Sequence, residues 1–259
     1  MGMFKKRGKG FTLAEVLITL GIIGVVAALT IPTLMANYQK VQEVAGLKKA
    51  YAEITEALRL MANDHGCADD LKCTGAFNGG DNVTMGTEFK KYLKVAKDCA
   101  NTSYNPTDDS TKCFSDSVSW YYDGSNGRSD FNYNVYGKYR FITADGFAIS
   151  LASESSWNTP CGFNLAVNNG IHAPNLNINQ VCGEMWVDVN GFKGPNNFGR
   201  DIFYFTMTNG RGPAFYPYGG HEWLSTAESE YWAYKCNSNW QAGMYCAARI
   251  MEEGWQMKY

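Results

Sequence analysis

Glu15 is the one charged residue among the 21 residues from Phe11 to Ile31. An acid inside an apolar helix is costly in lipid, so it is normally retained for a task. In low dielectric the cheapest way to hold such a carboxylate is to give it a cation. A second concentration of polar groups lies at 188–201, Asp-Val-Asn-Gly-Phe-Lys-Gly-Pro-Asn-Asn-Phe-Gly-Arg-Asp. There Asp188, Asn190 and Asp201, with Asn196 and Asn197 nearby, offer oxygen of the kind calcium accepts, although the closing glutamate of an EF-hand loop is missing. The favoured reading is a turn at Asn190-Gly191, with the two aspartates bonding backbone amides around it and no cofactor bound. No chemistry beyond these stands out. The chain has no His-Glu-x-x-His, no Gly-x-Ser-x-Gly and no phosphate-cradling glycine loop. Gly220-His221-Glu222-Trp223 sets a lone histidine beside a lone glutamate and reads as a surface loop. The pattern is not that of an enzyme.

The element that positions Glu15 is the apolar run itself. At ~1.5 Å per residue it makes roughly 32 Å of helix, against a hydrocarbon core of about 30 Å. Lys5, Lys6, Arg7 and Lys9 precede it, which keeps the N-terminus cytoplasmic and sends everything after Pro32 outside. Pro32 lacks an N–H and is expected to kink or interrupt the helix at the outer boundary. A secretory signal carries no acid in its apolar core and is cut after it. Here a Gly10-Phe11 junction precedes the run instead.

All eight cysteines (Cys67, Cys73, Cys99, Cys113, Cys161, Cys182, Cys236, Cys246) lie beyond Pro32. An even count confined to the exported part implies disulfides made in an oxidising compartment. Nearness in sequence suggests the pairs 67–73, 99–113, 161–182 and 236–246. A zinc site lacks support: there is no Cys-x-x-Cys, and His65, His172 and His221 stand apart from the cysteines.

From Tyr38 to about Asp64, the positions Tyr38, Val41, Val44, Leu47, Tyr51, Ile54, Leu58 and Met61 fall on one helical stripe, with Gly66 as C-cap. The pattern over Thr87–Lys97 predicts a short amphipathic helix, and Asn101–Asp130 reads as loop. The period then changes to two. Tyr139–Ala144 and Phe147–Leu151 flank Asp145-Gly146; Val181–Val189 precedes Asn190-Gly191; and Ile202–Met207 follows. These predict a four-stranded antiparallel meander with one face against the helix at 38–64. A short helix is expected at Ala242–Glu252. The fold class is therefore α+β.

Gly10, Phe11, Thr12, Leu13 and Glu15 together resemble the cleavage and methylation signal of type IV prepilins and type II secretion pseudopilins. The resemblance implies a leader at 1–10, a transmembrane helix at 11–31, an amphipathic extension at 32–66 and a pilin-like head at 67–259 outside the cytoplasm. A membrane-embedded prepilin peptidase would cut between Gly10 and Phe11, and the new amine of Phe11 would be N-methylated. Glu15 would offer its carboxylate to the Phe11 amine of a neighbouring subunit, and Pro32 sits where the family carries a kinking proline. The implied partners are membrane lipid, other pilin or pseudopilin subunits of a pilus or pseudopilus, an inner-membrane assembly platform and its ATPase. Major pseudopilins hold calcium in the C-terminal part of the head, so a structural Ca2+ is the one cofactor the likeness suggests. Two other readings share the N-terminus. One is a membrane-tethered adhesive protein, with Trp223, Tyr231, Trp232, Tyr234 and Trp240 stacking on sugars. The other is a DNA-uptake pilin, which calls for a basic head. Loss of the four leader charges takes the formal charge from −2 to about −6, which gives nucleic acid no support.

Overall fold

The computed structural model describes residues 10–67, 70–77, 81–100, 111–115, 118–119, 138–153, 155–156, 159–161, 180–209, 214–218, 236 and 242–259. The expected surface loop at 220–223, the aromatic residues at 223–240, His172 and most of the loop at 101–130 lie outside them. The chain divides into two compact units, Met1–Val41 and Gln42–Tyr259.

Helix α1, Leu13–Asp64, has segments in both units. In the first unit its side chains are exposed, from Phe11 just ahead of it (88%) to Leu34 (70%) and Val41 (66%). This is the one helix among the described residues long and apolar enough to cross a membrane. Two of its hydroxyls bond within the helix: Thr19 Oγ1 donates to the Val16 carbonyl and Thr30 Oγ1 to that of Val26, both at 2.9 Å. The helix is not interrupted at Pro32, which lies inside it.

In the second unit α1 buries Leu47, Ala50, Ile54, Ala57, Leu58, Met61 and Ala62. The stripe read from the sequence is thus core only from about Val44 onward, since Tyr38 is 62% and Val41 66% exposed. The helix stops at Gly66, with φ +67°, where Cys67 N–H donates to the Ala62 carbonyl (2.7 Å) and Gly66 N–H to that of Asn63 (3.0 Å). That is the paired closure by which a left-handed glycine satisfies the last carbonyls.

The sheet has six strands, not four. β1 (Val95–Ala100), β2 (Tyr139–Thr143), β3 (Ala148–Ser153), β6 (Val181–Asp188), β7 (Ile202–Thr208) and β8 (Ala214–Pro217) lie in that order, each antiparallel to its neighbour. A separate two-stranded ribbon is formed by β4 (Ser155–Ser156) and β5 (Thr159–Pro160). The helix expected at 87–97 is displaced. α2 spans Asn82–Tyr92, capped by Asp81, whose side chain accepts from the N–H groups of Val83 and Thr84. Leu93 then turns extended and the chain enters β1. Pairing with β2 overrides the local helical spacing there. The hairpin between β2 and β3 turns through three residues, Ala144 to Gly146, with Gly146 at φ +89°. At the C-terminal end a 3-10 turn (Ala242–Tyr245) leads into α3 (Cys246–Glu252).

Alternate residues of the strands face the core shared with α1 and α2: Tyr139 and Phe141, Ile149 and Leu151, Met185 and Val187, Phe203, Phe205 and Met207. The opposite face is covered as well. Val118 and Phe198 pack with Trp186, Ile202 and Tyr204, and Phe114 packs with the Cys99–Cys113 disulfide and Ala148. This double cover explains why β7 is buried along its whole length. The disulfides join Cys67 to Cys73, Cys99 to Cys113, Cys161 to Cys182 and Cys236 to Cys246, the same four pairs that nearness in sequence suggests.

Candidate functional site

The first site is the start of α1. Thr12 precedes the helix and Glu15 stands three residues later. Glu15 Oε2 accepts from Thr12 N–H (2.8 Å) and from Thr12 Oγ1 (2.9 Å), while Glu15 N–H donates back to Thr12 Oγ1 (3.3 Å). This reciprocal set is a capping box, and it satisfies donors that a helix N-terminus otherwise leaves without partners. The carboxylate is therefore held at the end of the helix, beside the backbone that joins Thr12 to Phe11. The Thr-x-x-Glu spacing that encodes the box is visible in the sequence, but a reading of Glu15 purely as a buried charge passes over it. Thr12→Ala is expected to cost about 1 kcal/mol of helix N-terminal stability. It should be read as faster amide exchange in the first turn, with Thr12→Ser restoring protection.

The second site is the 189–201 connection between β6 and β7. Asp188 is fully buried, and its Oδ1 accepts from Asn190 N–H (3.0 Å) and Gly191 N–H (2.9 Å). Asp201, also fully buried, accepts from Asn197 N–H on Oδ1 (2.7 Å) and from Asn196 N–H (2.7 Å) and Asn190 Nδ2 (3.2 Å) on Oδ2. Both carboxylates thus organise the turn through backbone amides. Three buried oxygens are left over: Asp188 Oδ2, Asn190 Oδ1 and Asn196 Oδ1 have no hydrogen-bond donor. Burial pushes the Asp188 carboxyl well above its ordinary range, and the charge of Asp201 adds to this against the pull of the two amides. Burial likewise raises Asp201, with the Asn196 and Asn197 amides opposing it. Acceptor-only oxygens around a carboxylate suit a hard cation. Among the described residues no three His, Cys, Asp or Glu side chains gather at one point, so asparagine oxygens are indispensable to such a set.

The same connection fastens the head together. Arg200 Nε and Nη2 reach Glu43 on α1 at 3.1 and 3.4 Å, with Glu43 only 6% exposed. Val189 lies against Gly46 on α1, where an added Cβ would come within 3.1 Å of it. Ser119 N–H donates to the Asn196 carbonyl (3.0 Å), and Tyr259 Oη donates to that of Gly199 (2.6 Å). Glu43→Ala strands the Arg200 guanidinium beside a buried wall. The expected loss is about 2 kcal/mol, below the ~3–5 kcal/mol of a fully buried pair because Arg200 keeps some water. Chemical denaturation should show it, with Glu43→Gln intermediate.

Residues 5–31 match the family model described as the prokaryotic N-terminal methylation motif. The chain carries that motif. Gly10, Phe11, Thr12 and Glu15 all fall inside it, so the capping box is part of the motif-bearing segment. The chain is also similar to prepilin peptidase-dependent protein D of Escherichia coli (strain K12), with 32% identity over 89 residues. The aligned part is 34% of this chain, and it spans 58% of the relative's length. No solved structure matches the chain. The motif and the exposed apolar part of α1 are together consistent with membrane anchoring.

Proposed function

We propose that this chain is a structural subunit of a type IV pilus-like or type II secretion-like filament. In this reading a prepilin peptidase cuts the Gly10–Phe11 bond, the Phe11 amine is methylated, and the subunit waits in the inner membrane with its head outside. An assembly platform and its ATPase then raise it into a growing filament of like subunits. The observation that carries the reading is Glu15, held by Thr12 at the first turn of a helix whose segment up to Ile31 is otherwise uncharged and exposed. The carboxylate is the group the Phe11 amine of an adjacent subunit would need as the helices pack, and its fixed position sets the register. The head has a closed core and four disulfides, so it can follow the helix as one covalently braced body in an oxidising compartment. Mass spectrometry of the membrane-extracted protein tests this. An N-terminal peptide starting at methylated Phe11 is expected; an intact leader, or a cut near Ala28, would overturn it.

A further inference from the structure

We infer that the Cys67–Cys73 disulfide is a thiol-exchange site: a thiolate from solution attacks Cys73 Sγ and opens this bond while the head stays folded. Seven of the eight half-cystines are buried, Cys67 at 4% exposure and the six of the other three bonds at 2% or less. Cys73 alone is exposed. Exchange needs a thiolate in line with the S–S bond at the sulfur it attacks, so access decides which bond reacts and at which end. The new bond joins the incoming sulfur to Cys73. The electron pair of the old bond leaves with Cys67 Sγ, which takes a proton from water. The products are a mixed disulfide and one free thiol, with no net oxidation. A reagent with a second thiol completes a two-electron reduction by attacking the mixed disulfide, which leaves Cys73 as a thiol and the reagent as a disulfide.

The bond can open in the folded head because other contacts hold its surroundings. It joins residues only six apart, just past the end of α1. On the Cys67 side, the backbone N–H of Cys67 donates to the Ala62 carbonyl. On the Cys73 side, the 3-10 turn Leu71–Thr74 is pinned to the end of β7. Leu71 N–H donates to Asn209 Oδ1, and Asn209 Nδ2 donates to Asp70 Oδ1, both at 2.6 Å. Leu71 and Phe77 are fully buried in the same core as α1. Opening therefore loosens a short surface loop and leaves the core intact. The other bonds differ: Cys161 and Cys182 belong to that core, and Cys99 and Cys113 to the cluster with Phe114, so reaching them means parting packed side chains. The inference concerns the head alone, does not depend on the filament reading and survives its failure.

The test exposes the full-length protein in detergent, in separate arms, to reduced glutathione and to reduced thioredoxin as a protein dithiol. Acid quenching, alkylation and peptide mass spectrometry then read each cysteine against time. With glutathione, the mixed disulfide is expected on Cys73 and the alkylated thiol on Cys67. This bond should open at least about a hundredfold faster than any other. Opening at Cys73 by either reagent supports the inference, and the faster arm names the class of thiol that the site takes. Amide exchange should then quicken at 65–67 and 70–75 while the strands at 181–188 and 202–208 keep their protection. The double variant Cys67→Ala, Cys73→Ala, which never forms the bond, should fold with that same strand protection. The inference is overturned if another bond opens first or at the same rate, or if glutathione settles on Cys67. It is also overturned if the strand amides lose protection in step with opening, if the double variant fails to fold, or if neither reagent opens any bond short of unfolding.

Discussion

Replacing Glu15 by glutamine is expected to leave the protein inserted in the membrane and its helix capped, yet to lower incorporation beside wild-type subunits by about a hundredfold. The magnitude corresponds to losing one charge-assisted contact in a low-dielectric setting, at a factor of ten for every ~1.4 kcal/mol. Glutamine separates two roles that the geometry superimposes. It can still accept from Thr12 N–H and hydroxyl, because a capping box works with Glu or Gln at its third position. It cannot answer a cationic amine. Glu15→Val removes both roles and should do no better. Competition between tagged wild-type and variant subunits in one cell gives the number. If Glu15→Gln assembles at the wild-type level while Glu15→Val does not, the carboxylate acts only as a helix cap and the proposed contact with a neighbour's amine is wrong.

The second large effect is expected at Gly86, on the face of α2 turned to β2. A Cβ there would fall 2.1 Å from the ring of Tyr139, far inside any tolerated contact. The ring has little room to retreat. Tyr139 is 3% exposed, its hydroxyl donates to Asp98 Oδ2 at 3.0 Å, and Lys90 Nζ lies 5.1 Å from its centroid. Gly86→Ala should therefore force α2 off the sheet at a cost of about 3 kcal/mol, the upper part of the usual overpacking range. For a head of this size that corresponds to a Tm lower by roughly 6–12 °C. An unchanged Tm would show that Tyr139 has another place to go. A fall that Tyr139→Leu partly reverses would locate the strain at this contact.

These two residues also mark how far the sequence could be read. Glu15 announces itself, since a charge in an apolar run is a local fact that no folding is needed to see. Gly86 does not. Its importance rests on a strand more than fifty residues away, and nothing in its neighbours signals that a ring will sit on it. The same division runs through the fold. The hairpin at Asp145-Gly146, the turn at Asn190-Gly191, and the strands at 181–189 and 202–207 were legible because a two-residue period and turn residues are short-range signals. β1 was not legible. Lys90, Lys91, Lys94 and Lys97 keep a helical spacing across Leu93, and only pairing with β2 makes 95–100 a strand. β8, four residues long, joins the sheet by its register with Phe205–Thr208 rather than by any pattern of its own.

The polar segment at 188–201 shows the division within a single site. Its oxygen-rich composition was plain, and Asp188, Asn190 and Asp201 stood out equally. The structure separates them: Asp201 spends both oxygens on backbone amides, whereas Asp188, Asn190 and Asn196 each keep one buried oxygen without a donor. Which oxygen is left over depends on how the turn closes, and that in turn depends on Ser119, Glu43 and Tyr259, all distant in sequence.

What the sequence determined alone is the end of the molecule governed by local physics: an apolar span with one acid, basic residues before it, cysteines only after it, and a helical stripe leading into alternating strands. Hydropathy, charge and period act over a few residues, so they can be read directly. What only the tertiary structure decided is where that stripe becomes core, how many strands the sheet holds, and what covers its second face. It also decided which carboxylate oxygens lack partners. Each of these depends on contacts between residues tens of positions apart, and burial, which exists only once those contacts form, assigns each side chain its task.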